Sequence, residues 1–380
     1  MSVRQQPSRL VSRAGGLALV AAMLAGGCAS SSRPEPKPLE SLTPSISVNP
    51  VWTQHVEAVQ FPLAVAVGKA TFTVAAGDGT VLMLEAESGK EIWRANAGAK
   101  LGAGVGSDGR FAAVVTRDGE LVVLDQGAVK WRKPLATRVT TAPLVAGERV
   151  FVVAADRSVQ AFDALDGRKL WALQRPGDPL TLSQSGVLAA FKDTLVVGQG
   201  PRMAGVDPLR GELRWEAVVG SPRGANEIER LADLVGPAAR VGDVICARSF
   251  QAAVGCVNAE RGALLWTKPV GGTDGVVGDD QFVLAADASD RITAWKTATG
   301  EVAWTSEKLL YHGLAAPLLF SKAVIFGSSD GTLHFLARDN GEALLRLPTD
   351  GTAIAAPPVV SGTTVLAVTK SGGLFAFRPE

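Results

Sequence analysis

Few residues in this chain are placed to do chemistry. The three histidines, His55, His312 and His334, are far apart in the sequence and lack the short spacing of a metal site. The three cysteines, Cys28, Cys246 and Cys256, include no Cys-x-x-Cys pair. Gly104 to Gly109 fits G-x-G-x-x-G formally, but it reads as strand and turn. No helix follows it to present a dipole to a phosphate. Asp279-Asp280 reads as a turn, and there is neither a nucleophilic serine elbow nor a P-loop. No catalytic residue, metal or cofactor is therefore expected.

Cys28 is the exception. Residues 1–27 carry Arg4, Arg9 and Arg13 and then a small apolar run from Gly15 to Gly26. Such a segment is too short to span a bilayer and reads as a signal peptide. It stops at Ala-Gly-Gly-Cys28, followed by Ala29 and three serines. That is the pattern of a bacterial lipobox, whose thiol accepts diacylglycerol. The preferred Leu sits one place early, at Leu24 rather than position 25. Ordinary secretion with an incidental cysteine is the alternative. Ala29 is not Asp, so nothing directs the protein to stay in an inner membrane. The expected organisation is a signal peptide over 1–27, a lipidated flexible linker over 28–44 and one folded body over 45–380.

Removing the three signal-peptide arginines from 38 basic residues against 37 acidic ones leaves a charge of −2. Lys and Arg are dispersed, so no nucleic-acid partner is implied.

The elements that hold these residues are written as a repeat. Leu84 to Trp93 (LEAESGKEIW) recurs as Phe162 to Trp171, Val206 to Trp215, Val257 to Trp266 and Trp295 to Trp304, with a shortened copy at Leu124 to Trp131. Ala337 to Leu345 is a degraded copy with Leu in place of Trp. Trp52, Trp93, Trp131, Trp171, Trp215, Trp266, Trp304 and Leu345 mark units about forty residues apart. One unit cannot bury its own apolar face. Four short strands per unit at this period are the mark of a β-propeller. In Thr141 to Trp171, alternating apolar runs are cut by Gly and Asp turns, and helical periodicity is absent. Eight markers predict an all-β fold: eight four-stranded antiparallel blades. The last copy lacks a fourth strand, and Trp52 lies in a fourth strand lacking its first three, so the N-terminal strand is expected to close the ring. Closure removes an edge that would otherwise invite aggregation. The recurring Trp–Gly spacing reads as packing between blades rather than as a ligand platform. Trp295, off the pattern, reads as core.

Cys246 and Cys256 fall on adjacent strands of one hairpin, symmetric about Gln251. Opposed positions are close enough for a disulfide, which an oxidising compartment favours. Two buried free thiols are the alternative.

Two consecutive inter-blade connections are long: Arg175 to Gly186 and Gly220 to Gly236. Insertions on one face of a repeat protein commonly form its binding surface. Leu180 and Leu182 in the first loop favour a contact role. In the second, Asn226 to Asp233 could form a helical turn or two.

The repeats resemble the PQQ-type propeller repeat. With the lipobox, the eight units and especially Ala225 to Leu234 (ANEIERLADL), the chain resembles the BamB family of the outer-membrane β-barrel assembly machinery over essentially its whole mature length. The resemblance implies a non-enzymatic lipoprotein on the periplasmic face of the outer membrane. It implies binding to the POTRA domains of the barrel subunit, BamA, help to inserting β-barrel proteins, and contact with unfolded outer-membrane proteins as a further partner. It places the family's Leu-x-Leu at Leu180 and Leu182 and its acid at Asp233. The family's Arg after the second Leu is Ser183 here, and its further acid is Val235. The implied contact then leans on the leucines, Glu227, Arg230 and Asp233. Two other classes stand beside this one. PQQ-dependent dehydrogenases share the repeat but carry adjacent cysteines and a Ca²⁺ site, for which no residues are evident here. A propeller scaffold for another envelope complex, or a glycan binder, is the second.

Overall fold

The computed structural model describes residues 1–2, 34–175, 180–221 and 224–379. Met1–Glu35 and Pro36–Glu380 form separate compact units, and the second holds all the strands described here.

That second unit is a ring of eight four-stranded antiparallel blades. Blades 1–7 are continuous in sequence, from Ala66–Val67 in blade 1 to Ala343–Pro348 in blade 7. The eighth takes its three inner strands from Val359–Ser361, Thr364–Val368 and Gly373–Pro379, and its outer strand from Val48–His55. Val48 pairs with Pro379 and His55 with Gly373, so the N-terminal strand closes the ring. First strands of most successive blades touch one another around the axis.

Burial follows from this stacking. The two middle strands of a blade are covered by neighbours on both faces, so they need no polar alternation. Phe111–Val115 is buried at every residue, whereas the outer strand Glu91–Asn96 has no fully buried residue. Eight apolar clusters among the described residues occupy the eight junctions between neighbouring blades.

Each marker Trp packs against the next blade as well as its own. The Trp52 ring lies where a Cβ on Gly89 would stand, 2.4 Å away, and Trp215 stands in the same relation to Gly262. Both glycines have positive φ, 69° and 64°. The turn therefore needs Gly twice over, for its backbone and for the indole above it. Trp93, Trp131, Trp171, Trp266 and Trp304 repeat the contact with Gly127, Gly167, Gly211, Gly300 and Gly341. Where the indole N–H is bonded it donates to a carbonyl of the following blade, as from Trp52 to Ala86 (3.0 Å) and from Trp131 to Ala164 (2.8 Å).

The degraded marker of blade 7, Leu345, has a physical cause. Blade 8 takes its outer strand from the N-terminal segment, so it has no turn between third and fourth strands. Leu345 has no Gly to cover and packs among Phe335, Val365 and Phe377, with Ile46 and Val48 beside them. Trp295 is buried between blades 5 and 6.

Two expectations need revision. Residues 37–44, expected to be flexible linker, are held on blade 7 and its approach. The Lys37 amide donates to the Leu310 carbonyl (3.0 Å), the Lys37 carbonyl meets His312 Nε2 (2.9 Å), and Arg346 donates to the Glu40 carbonyl (2.7 Å). Composition predicts disorder there, but these carbonyls find donors on the folded body. Also, His312 and His334, distant in sequence, bring their rings to 5.8 Å.

Candidate partner-binding surface

Connections between blades and turns between second and third strands emerge on the same side of the ring. Both long connections lie there. The first joins blade 3 to blade 4 and the second joins blade 4 to blade 5. Residues 176–179 and 222–223 of these loops lie outside the described residues.

The second loop is shaped by its own polar residues. The Asn226 side chain accepts the Glu229 amide (2.9 Å), and the Glu229 carboxylate accepts the Ala225 amide (2.8 Å). This reciprocal capping satisfies amides that a short turn leaves open. Arg230 donates its amide to the Asn226 carbonyl (3.2 Å), closing one turn. No helix forms; residues 227–230 make a single turn. Glu227, Ile228 and Arg230 are all exposed, and Ile228 is 74 % exposed. After Leu231 the chain dives inward, where Ala232 and Leu234 are buried.

Main-chain bonds join the two loops. The Gly236 amide donates to the Ser185 carbonyl (2.9 Å), and Gly186 bridges Val235. Thr141 Oγ1 receives the Gly186 amide (2.8 Å), and Thr140 donates its hydroxyl to Gln184 (2.9 Å). The pair is therefore one continuous surface above blades 3 to 5.

The expected site residues divide within it. Leu180 is 38 % exposed, while Leu182 is half-buried. Asp233 is not a rim charge. One of its carboxylate oxygens accepts the Leu182 amide (2.9 Å), and the other meets Arg157 Nη1 (3.3 Å). Glu227 and Arg230 keep their side chains in solvent. Cys28 lies outside the described residues. Cys246 and Cys256 are directly opposed, fully buried and joined by a disulfide, with Cα atoms 4.0 Å apart. They sit in the core between blades 5 and 6, away from the loops' exposed tips.

Two residues of the surface escaped sequence reasoning. Ile228 lay inside a segment read for its charges, although an apolar residue between Glu227 and Glu229 was visible as an anomaly. Arg157 lies in a blade 3 turn, and nothing local marks it.

The chemistry-bearing side chains elsewhere are engaged in structure. A Cβ on Gly104 would meet the Ala64 amide at 2.2 Å, and one on Gly106 the Pro143 carbonyl at 1.8 Å, so the glycine run is there for close packing. His334 is 1 % exposed and bonds Ser328. Burial, aided by neighbouring His312, pulls its pKa down to about 4, leaving a neutral imidazole. Arg248, fully buried, donates to the carbonyls of Val270 (3.1 Å) and Ala286 (2.7 Å), tying blade 5 to blade 6. Among the described residues no group of three or more His, Cys, Asp or Glu could hold a metal ion.

Comparison with known proteins places this fold. The family model described as outer membrane protein assembly factor BamB matches residues 77–306. A protein of that name from Burkholderia pseudomallei is 36 % identical over 372 residues, covering 96 % of this chain and 97 % of that one. The Bordetella pertussis protein of the same name is 34 % identical, covering 96 % of each chain. The crystal structure of BamB from Moraxella catarrhalis superposes with a TM-score of 0.80 at 22 % identity, covering 87 % of this chain and all of that one. By sequence over nearly its whole length, this chain belongs to the family of outer membrane protein assembly factor BamB.

Proposed function

We propose that this protein is a non-enzymatic scaffold lipoprotein of the outer-membrane protein assembly complex. In this reading it binds the periplasmic POTRA domains of the barrel subunit and assists insertion of β-barrel proteins. The observation that carries it is the surface above blades 3 to 5. Two neighbouring loops are bonded into one unit that displays Leu180 and Ile228 to solvent, with Glu227 and Arg230 beside Ile228. Exposed apolar residues ringed by polar ones mark protein contacts, and hot spots are few and central. A scaffold reading also fits the absence of adjacent cysteines from the sequence and the structural engagement of the glycine run, His334 and Arg248.

Cys28 is the proposed lipid attachment point, on the periplasmic face of the outer membrane. The strap beginning at Lys37 leaves roughly eight residues of tether, which reach no more than ~30 Å when extended. Such a short leash keeps the ring close to the membrane surface and to any partner embedded there.

The test is calorimetry of the purified mature protein against the POTRA segment, beside melting curves. The variant Leu180→Ala with Ile228→Ala should bind at least tenfold more weakly and melt normally. Full affinity in that variant refutes this surface as the contact.

A further inference from the structure

The surface is held by a clamp that spans three blades. Arg157 lies in the turn between the second and third strands of blade 3, and Asp233 ends the loop into blade 5. Between them stands Gly200, in the corresponding turn of blade 4. A Cβ there would meet the Arg157 guanidinium at 2.9 Å, so Gly at that position leaves the side chain room to cross blade 4. Arg157 Nη1 meets Asp233 (3.3 Å) while Nη2 donates to the Leu180 carbonyl (3.3 Å). Asp233 returns the connection by accepting the Leu182 amide (2.9 Å). One guanidinium and one carboxylate thus grip both sides of Thr181. They also hold the first loop to the root of the second, whose Asp233 carbonyl accepts the Phe250 amide (2.9 Å). The Gln199 side chain fixes the Arg157 backbone from blade 4 (3.0 Å).

Neither charged group is mainly in solvent: their side chains are 13 % and 16 % exposed. A group placed to meet a partner would point outward, as Glu227 and Arg230 do. A planar five-donor fork suits this task, because it can hold a carboxylate and a carbonyl at once.

We infer that Arg157 and Asp233 are positioning residues: together they pre-order the loop carrying Leu180 and Leu182, so that the partner meets a formed surface. The inference rests on the surface reading given above. Preorganisation raises affinity by removing the ordering cost of loop side chains at binding.

The test uses the purified mature protein with a spin label at exposed Ser183, measured for label mobility and for affinity to the POTRA segment. Arg157→Gln and Asp233→Asn should each raise label mobility and weaken binding on the order of tenfold. Combined, they should weaken it no more than either alone, because each breaks one shared clamp. The salt dependence of the association rate should stay unchanged, since neither charge faces the partner. Loss with Asp233→Asn but not with Arg157→Gln makes Asp233 a direct contact and overturns the inference. Additive losses, or an unchanged label, overturn it as well. If Leu180→Ala with Ile228→Ala binds fully, the surface reading itself fails, and the label still decides whether the pair orders the loop. Should Arg157→Gln fail to fold, Asp233→Asn and Arg157→Lys carry the same measurements, with Lys restoring only part of the order.

Discussion

Replacing Trp52 by Ala tests how the ring is held shut. The Trp52 indole covers Gly89 of blade 1, packs near Phe72 at a centroid distance of 6.5 Å, and donates to the Ala86 carbonyl. Deleting a buried Trp costs about 3–5 kcal/mol, and the half-buried Trp52 belongs at the lower end. Unfolding entropy of ~2 cal/mol/K per residue, over roughly 330 ordered residues, comes to ~0.7 kcal/mol/K. A loss of ~3 kcal/mol then lowers the melting temperature by about 4 °C. The same loss is expected at Trp171→Ala, whose indole covers Gly211 and donates to the Pro208 carbonyl. Trp52 should differ in consequence, because its strand is joined to blade 8 only by pairing. Once that strand loosens, Gly373–Pro379 becomes a free edge able to pair with another molecule. Scanning calorimetry with light scattering reads both effects. If Trp52→Ala melts within about 1 °C of the parent and stays monomeric, the contact with blade 1 does not hold the seam.

Three further outcomes follow from buried groups and from the proposed anchor. His334 has a folded pKa of about 4 against an ordinary value near 6.5, so the unfolded chain binds the extra proton in that window. Stability from this group is complete above pH 6.5 and is lost as pH falls toward 4, on the order of 3 kcal/mol at most. His334→Gln should flatten that part of the urea-unfolding profile, and an unchanged slope would refute the assignment. Cys246→Ala with Cys256→Ala removes a crosslink closing about ten residues, worth about 2–3 kcal/mol. Reductant should have the same effect on the parent and none on the double variant; equal chemical stability of parent and variant would refute it. Cys28→Ser should release the protein from membrane fractions or leave its signal uncut, and unchanged fractionation with normal cleavage would rule out the lipid anchor.

The blades were legible because their signature is local: Gly and Trp four residues apart recur wherever an outer strand begins. What the signature hides is that each Trp packs against the Gly of the following repeat, a contact 34–47 residues away. That is why the Leu345 copy looked merely degraded; its cause is a turn that blade 8 does not possess. The surface was legible as two lengths of excess chain and a Leu-x-Leu. Its internal wiring was not, because Asp233 answers to Leu182 and Arg157 across three blades. Charge in a loop reads as solvent-facing unless the partners are known. The strap escaped for a similar reason. A Ser/Pro-rich segment carries no pattern of its own, and its donors, such as Arg346, lie some three hundred residues away.

The most direct measurement is site-specific photo-crosslinking in intact cells. Probes would replace Leu180 and Ile228 on the loop surface, and Arg261 and Asp280 in turns on the opposite side of the ring. Adducts with the barrel subunit's POTRA domains are expected from the first two positions and none from the others. Adducts from Arg261 and Asp280 with silence at Leu180 and Ile228 would contradict this expectation.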